Sequence, residues 1–218
     1  MLFSSAADRA SLVRYMVTAS CAEECPVSAA ALMSNHVHLV TTPRSADALS
    51  RWVKSFAQRY AIARNRARDA SGKLFEQRFD AKPILSERQL AATIAYVDAN
   101  PARAGVGPRS AMWSTLALHR GTAGAHPLRV LWTPSSWWLS LGADDTTRGS
   151  VYADFLDRRF DEWAGDVVRV RPPSPVAYTR RLLRPDGRRV AESMDGDGAS
   201  LYGQRCRANA FGYLRDEE

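Results

Sequence analysis

The chain has 218 residues, 45% of them apolar and 24% charged, and no apolar run long enough to span a bilayer. That size suits one globular domain with an appendage, or two small domains, and Arg9, Glu23 and Glu24 interrupt the early apolar residues that a signal peptide would need. The formal net charge of +7 is unevenly placed: 13 Lys and Arg face 6 Asp and Glu between Pro43 and Ser110, while the remainder holds 17 of each.

A local basic excess is the footprint of a polyanion-binding surface, although a solvated basic helix face has the same composition. The three cysteines, Cys21, Cys25 and Cys206, have no companions at zinc-site spacing. Reduced structural thiols in a cytoplasmic protein are therefore expected.

In chain order, Ala7 to about Ala22 reads as an amphipathic helix with Leu12, Tyr15 and Met16 at helical spacing, stopped by Pro26. Val27–Met33 and His36–Thr42 read as the strands of an antiparallel hairpin turning at Ser34-Asn35. Within it, the stretch ALMSNHVHLVTTP sets two of the four histidines, His36 and His38, on either side of Val37. Strand alternation puts both imidazoles, with Val40 beyond them, on one face. Two imidazoles on one rigid face make a ready pair of metal ligands. Alone, the same triplet is more simply a half-buried strand with histidines facing solvent.

Ser45 is placed to cap a helix running to about Arg68, whose Leu49, Trp52, Val53, Phe56 and Tyr60 recur about every 100°. Arg51, Lys54 and Arg66 fall opposite that stripe, which is most simply core packing. After the break at Ser71-Gly72, Ala81–Leu85 could form a further strand, with Pro83 arguing for an edge position or a bulge.

Ser86 then opens a helix over Glu87–Asn100, with Gln89 placed for a capping box and Leu85 and Leu90 for a hydrophobic staple. Leu90, Ile94 and Val97 form its buried stripe, and Pro101 is expected to end it by biasing Asn100 away from helical backbone. Trp113 to Ala164 reads as helical, with Trp132, Trp137 and Trp138 supplying core. From Arg171 the segments RPPSP, RRLLRPDGRR and ESMDGDGAS suggest a linker or a loosely ordered tail.

On the helix ending near Asn100, Tyr96 and Asn100 are four residues apart and share a face beside the buried stripe. If that face meets the histidine face of the hairpin, two imidazoles, a carboxamide oxygen and a phenol gather at one place. Such an N,N,O set leaves coordination positions open and suits a divalent ion that also takes phosphate oxygens. The phenol is then the natural nucleophile, giving a covalent intermediate that conserves phosphodiester bond energy. On spacing alone the simpler readings prevail: Tyr96 as an ordinary helix-flank tyrosine, and Asn100 as the end of a helix before Pro101.

ALMSNHVHLV, GKLFEQRF and YVDANPARAGV, in this order and at these separations, resemble the one-tyrosine HUH transposases, and more closely the branch associated with repetitive extragenic palindromes. WSTLALHRG, Trp113 to Gly121, is similar to the segment that follows in that branch, and the likeness covers roughly Phe3 to Phe160. The resemblance implies an α+β fold: a central antiparallel, ferredoxin- or palm-like HUH sheet with helices packed on one face, and a helical extension after it. The implied divisions are a catalytic domain over 1–110, the extension over 111–170 and the tail over 171–218.

His36 and His38 match the metal-binding histidines of that family, Val37 the hydrophobic residue between them, and Tyr96 the nucleophile. Asn100 matches the polar residue one turn later that completes the metal site, with Mg2+ or Mn2+ as the expected ion. The implied reaction is strand-specific cleavage of single-stranded DNA beside a hairpin, leaving a 5′-phosphotyrosine and a free 3′-hydroxyl. Strand transfer, and so DNA transposition, follows when another 3′-hydroxyl attacks that linkage.

Arg51, Lys54, Arg59, Lys73, Arg78 and Arg103 surround these motifs in sequence and would bind backbone phosphate. Phe75 and Phe79 could stack on unpaired bases or pack in the core. The family's N-terminal strand, ahead of the segment matching Met1 to Phe3, has no counterpart, which predicts unpaired backbone on its neighbour. The expected partner is hairpin-bearing single-stranded DNA, engaged by a monomer or a homodimer away from membranes. A non-catalytic, decayed or domesticated hairpin-binding protein is the alternative, and a metal hydrolase using water is a third reading.

Overall fold

Three serines in extended backbone each open a helix by accepting a hydrogen bond from the N–H three residues on. Ser5 Oγ accepts from Asp8 (3.1 Å), Ser45 Oγ from Ala48 (3.0 Å) and Ser86 Oγ from Gln89 (3.2 Å). The computed structural model describes residues 1–76, 78–105 and 112–165, and these caps begin α1 (Ala6–Glu23), α2 (Ala46–Ala67) and α3 (Glu87–Arg103). Between α1 and α2 lie β1 (Val27–Leu32) and β2 (Val37–Thr41). After α3 come two short helices, α4 (Leu116–His119) and α5 (Ser136–Leu139), and the long α6 (Asp145–Gly165). The fold is α+β, and its sheet among the described residues is one antiparallel pair. The expected tail, 171–218, lies outside the described residues, as do 106–111 and 166–170 of the expected domain and extension.

Helix α1 ends where Glu24 turns left-handed (φ 52°) and donates its N–H to the Ser20 carbonyl at 2.9 Å, two residues ahead of Pro26. Its Leu12, Val13 and Met16 are buried, and α1 packs along α2. Trp52 fastens the pair by donating its indole N–H to the Met16 carbonyl at 3.0 Å. On α2 the periodic stripe holds: Leu49, Trp52, Phe56 and Tyr60 are buried and Val53 is half-buried.

In the sheet Ala31 stands opposite His38 and Leu32 opposite Val37, with a bulge between Val27 and Ala29. Both strands are buried along their length except for half-buried Val37. The outer edge of β1 is not left bare. It is bonded by Leu32 N–H to the Trp113 carbonyl (2.9 Å), by Thr115 N–H to the Ala30 carbonyl (2.9 Å) and by Thr133 N–H to the Val27 carbonyl (2.8 Å). One hydrophobic core runs from Leu2 to Leu156 and takes in Trp132, Trp137 and Trp138. The segment expected as a separate helical extension thus seals the sheet and shares its core.

Expectations are overturned at both ends of α3. Ala81–Leu85 forms no strand, in keeping with Pro83, which has no N–H to give a ladder. Leu85 is 77% exposed and makes no staple with Leu90. The Gln89 side chain does reach back, but it accepts from Leu85 N–H at 2.8 Å, one residue before the cap.

The correction at the C-terminal end is Pro101, which lies inside α3 rather than beyond it. In the last turn a proline forfeits one bond, to the Val97 carbonyl, where helical carbonyls are already running out of partners. The helix continues to Arg103, and that extra length shapes the site.

Candidate metal and nucleophile site

Helix α3 packs on both strands, so the sheet face it covers is the one that carries His38. The two histidines close on each other there: His36 Nε2 and His38 Nε2 are 2.8 Å apart, with the rings edge-on at 84°. Tyr96 from α3 meets His38 edge to face, ring centroids 6.1 Å apart. His38 is 1% exposed, Tyr96 is half-buried, and His36 stands with its outer side in solvent. The structure therefore brings together His36, His38 and Tyr96 from a strand and a helix far apart in the chain.

Because α3 runs through Pro101, Tyr96, Asn100 and Arg103 fall at i, i+4 and i+7 and share one stripe. The Arg103 guanidinium lies 5.1 Å above the Tyr96 ring, a cation held against the aromatic face. Asn100 turns its amide back along the helix and donates Nδ2–H to the Tyr96 carbonyl at 3.0 Å.

Among the described residues no group of three or more His, Cys, Asp or Glu could hold a metal ion, so a third protein ligand would be of another type. The residues present fit a divalent cation on three counts. The two Nε2 atoms are aimed at each other, close enough for one cation or one proton to be shared. Asn35 Oδ1 accepts from His36 Nδ1–H at 2.8 Å, which leaves the His36 Nε2 lone pair facing inward. Asn100 shares the Tyr96 stripe one turn on, with its nitrogen committed to backbone. Burial of its inner side pushes the His36 pKa below the ordinary 6.5, favouring the neutral imidazole that binds metals.

The six residues proposed to bind phosphate are placed differently from one another. Arg103 stacks on Tyr96. Arg51 pairs with Glu23 at 2.8 Å and so joins α2 to α1 rather than to α3. Lys54, Arg59, Lys73 and Arg78 are exposed. Phe75 packs toward Tyr60 with centroids 6.4 Å apart, and Phe79 keeps 36% of its surface exposed.

Sequence reading missed two features. Asn35 passes as a turn residue, and only the folded turn shows its contact with His36. The other is Asp98, two residues beyond Tyr96 and on the opposite side of α3. Its carboxylate is 1% exposed and accepts three short hydrogen bonds: from Thr115 Oγ1 (2.6 Å), His119 Nδ1 (2.7 Å) and Tyr152 Oη (2.6 Å). A signal was available, for Ile94, Val97, Asp98 and Pro101 share one helix face, and a carboxylate in an apolar stripe demands buried partners.

Comparison of the chain with protein-family models, curated proteins and solved structures finds no match in any of the three.

Proposed function

We propose that this protein is a metal-dependent endonuclease and strand transferase of single-stranded DNA, cutting beside hairpins through a 5′-phosphotyrosine on Tyr96. In this reading β1 and β2 are the central pair of a palm-like HUH sheet. His36 and His38, with Asn100, hold Mg2+ or Mn2+. When bound, the ion supplies Lewis acidity and charge neutralisation at the scissile phosphate.

Tyr96 Oη attacks phosphorus, the bond from phosphorus to the 3′ oxygen breaks, and the 5′ phosphate stays on the tyrosine. The phenolic proton passes to solvent, and the departing 3′ oxygen is protonated to a hydroxyl. A 3′-hydroxyl from a second strand reverses these bond changes and frees Tyr96. Arg103, over the Tyr96 ring, is placed for the phosphate that arrives there. Lys54, Arg59, Lys73 and Arg78 supply further, salt-sensitive backbone contacts.

The observation that carries this reading is the meeting of His38 with Tyr96 at 6.1 Å, beside a histidine pair whose ring nitrogens converge. Metal ligands and a potential nucleophile on one small surface are what phosphoryl transfer to a tyrosine requires. The basic excess of the 43–110 segment supports it.

The test is incubation of labelled single-stranded hairpin oligonucleotides, drawn from repeats flanking the gene, with protein and Mn2+ or Mg2+, then a denaturing gel. A denaturant-resistant protein–DNA band, absent with chelator, with Tyr96→Phe and with His36→Ala, is expected. Cleavage without that band would point to water as the nucleophile. Hairpin binding without cleavage would leave a non-catalytic DNA-binding protein.

A further inference from the structure

We infer that Asp98 is a positioning residue: through two hydrogen-bonded routes to β1 it fixes where α3 lies on the sheet, and hence where Tyr96 stands against His38. The first route runs through Thr115, whose hydroxyl donates to Asp98 Oδ1 (2.6 Å) and accepts from the Ala30 N–H (3.0 Å). The Thr115 N–H returns to the Ala30 carbonyl at 2.9 Å. Ala30 precedes Ala31, the residue paired with His38 across the sheet.

The second route runs through His119, which donates from Nδ1 to Asp98 Oδ2 at 2.7 Å and accepts at Nε2 from Trp132 Nε1–H at 3.2 Å. That same indole N–H reaches the Ser28 carbonyl of β1 at 3.0 Å. A third donor, Tyr152 Oη at 2.6 Å, comes from α6 and leads to no strand. Burial and the Asp98 carboxylate push the Tyr152 hydroxyl well above the ordinary phenol range, so it remains a donor.

An Asp–His pair beside hydroxyls has the components of a nucleophilic triad, but no substrate reaches this one. His119 and Tyr152 are 0% exposed, and Trp132 covers the outward nitrogen of His119. What the network does reach is the backbone of β1, at two points two residues apart, Ser28 and Ala30. Charge-assisted bonds at these lengths are stiff, and a 1 Å misplacement of a reacting group costs about 10²-fold in rate. The consequence for catalysis rests on the function proposed above, whereas the geometric coupling does not.

Thr115→Val and Tyr152→Phe each delete one donor to Asp98, but only the first cuts a route to the sheet. Two readouts compare them, both well below the melting temperature. One is the NMR signals of the His38 ring, assigned with His38→Ala, which respond to the Tyr96 ring at its edge. The other is the single-turnover rate of protein–DNA adduct formation with Mn2+.

Thr115→Val is expected to move the His38 signals and slow adduct formation at least about tenfold. Thr115→Ser, which restores the hydroxyl, should recover both. Tyr152→Phe, despite a similar loss of melting temperature, should leave both near wild type. Equal behaviour of Thr115→Val and Tyr152→Phe, or unmoved His38 signals in Thr115→Val, would reduce Asp98 to a stabilising residue and overturn the inference. A wild-type protein that forms no adduct would count against the proposed function alone, because the NMR comparison still decides this point.

Discussion

The two faces of α3 handle polar groups in opposite ways. On one, Asp98 is sealed from water and its carboxylate takes donors from Thr115, His119 and Tyr152. On the other, Tyr96, Asn100 and Arg103 form a stripe on which Tyr96 meets His38 and Arg103 stays in solvent over the Tyr96 ring. A paired, buried carboxylate fixes a helix in place, while half-exposed donors with room beside them can be redirected to a ligand. Under the proposed function, stability and chemistry are separated across about 10 Å of helix diameter.

That separation can be broken by substitution. The largest effect is expected on the open face, where Tyr96→Phe should abolish the covalent adduct while urea unfolding shifts by no more than about 0.5 kcal/mol. Next is Asp98→Ala, which leaves three buried donors without their acceptor and should cost about 3–5 kcal/mol of stability in the same unfolding measurement. If instead Tyr96→Phe destabilises and Asp98→Ala does not, the two faces have been assigned the wrong way round.

Smaller changes sharpen the contrast. Asn35→Ala frees the His36 ring to turn, and Mn2+ affinity by calorimetry should fall about 10–100-fold with little change in unfolding. Acid should act through two histidines. Burial holds the pKa values of His36 and His126 below the ordinary 6.5, with Arg129 adding to the effect at His126. Between those lowered values and 6.5 the unfolded chain binds more protons than the folded one, so stability rises with pH there. It should therefore fall as pH drops through about 6.5, and His126→Gln should flatten that slope. Smallest of all, Arg103→Ala should cost only about 0.5–1 kcal/mol of stability, yet lower the salt slope of single-strand DNA binding by about 0.7.

How far the sequence could be read follows the range of the interactions involved. The α2 stripe and the caps at Ser45 and Ser86 were legible because each depends on residues within a few positions of itself. The shared face of His36 and His38 was legible for the same reason, since strand alternation is local. Pro101 misled because the penalty of a proline depends on where in a helix it falls, and near the end it is small enough for packing to override. Arg103 was thereby read as a residue after the helix rather than as part of the Tyr96 stripe.

The edge of β1 was hidden for a different reason. Its partners, Trp113, Thr115 and Thr133, lie some eighty or more residues downstream, where no periodicity points to them. Asp98 was within reach, as its apolar neighbours at i−4, i−1 and i+3 already placed it inside. Its donors, again distant in the chain, required the fold.

Peptide mapping by mass spectrometry of protein incubated with a hairpin oligonucleotide and Mn2+ tests the proposed role of Tyr96 at the atom concerned. The peptide containing Tyr96 is expected to gain the mass of the 5′-phosphorylated DNA fragment, with fragmentation placing it on the Tyr96 oxygen. DNA attached to any other residue, or cleaved DNA with every peptide unmodified, would contradict that role.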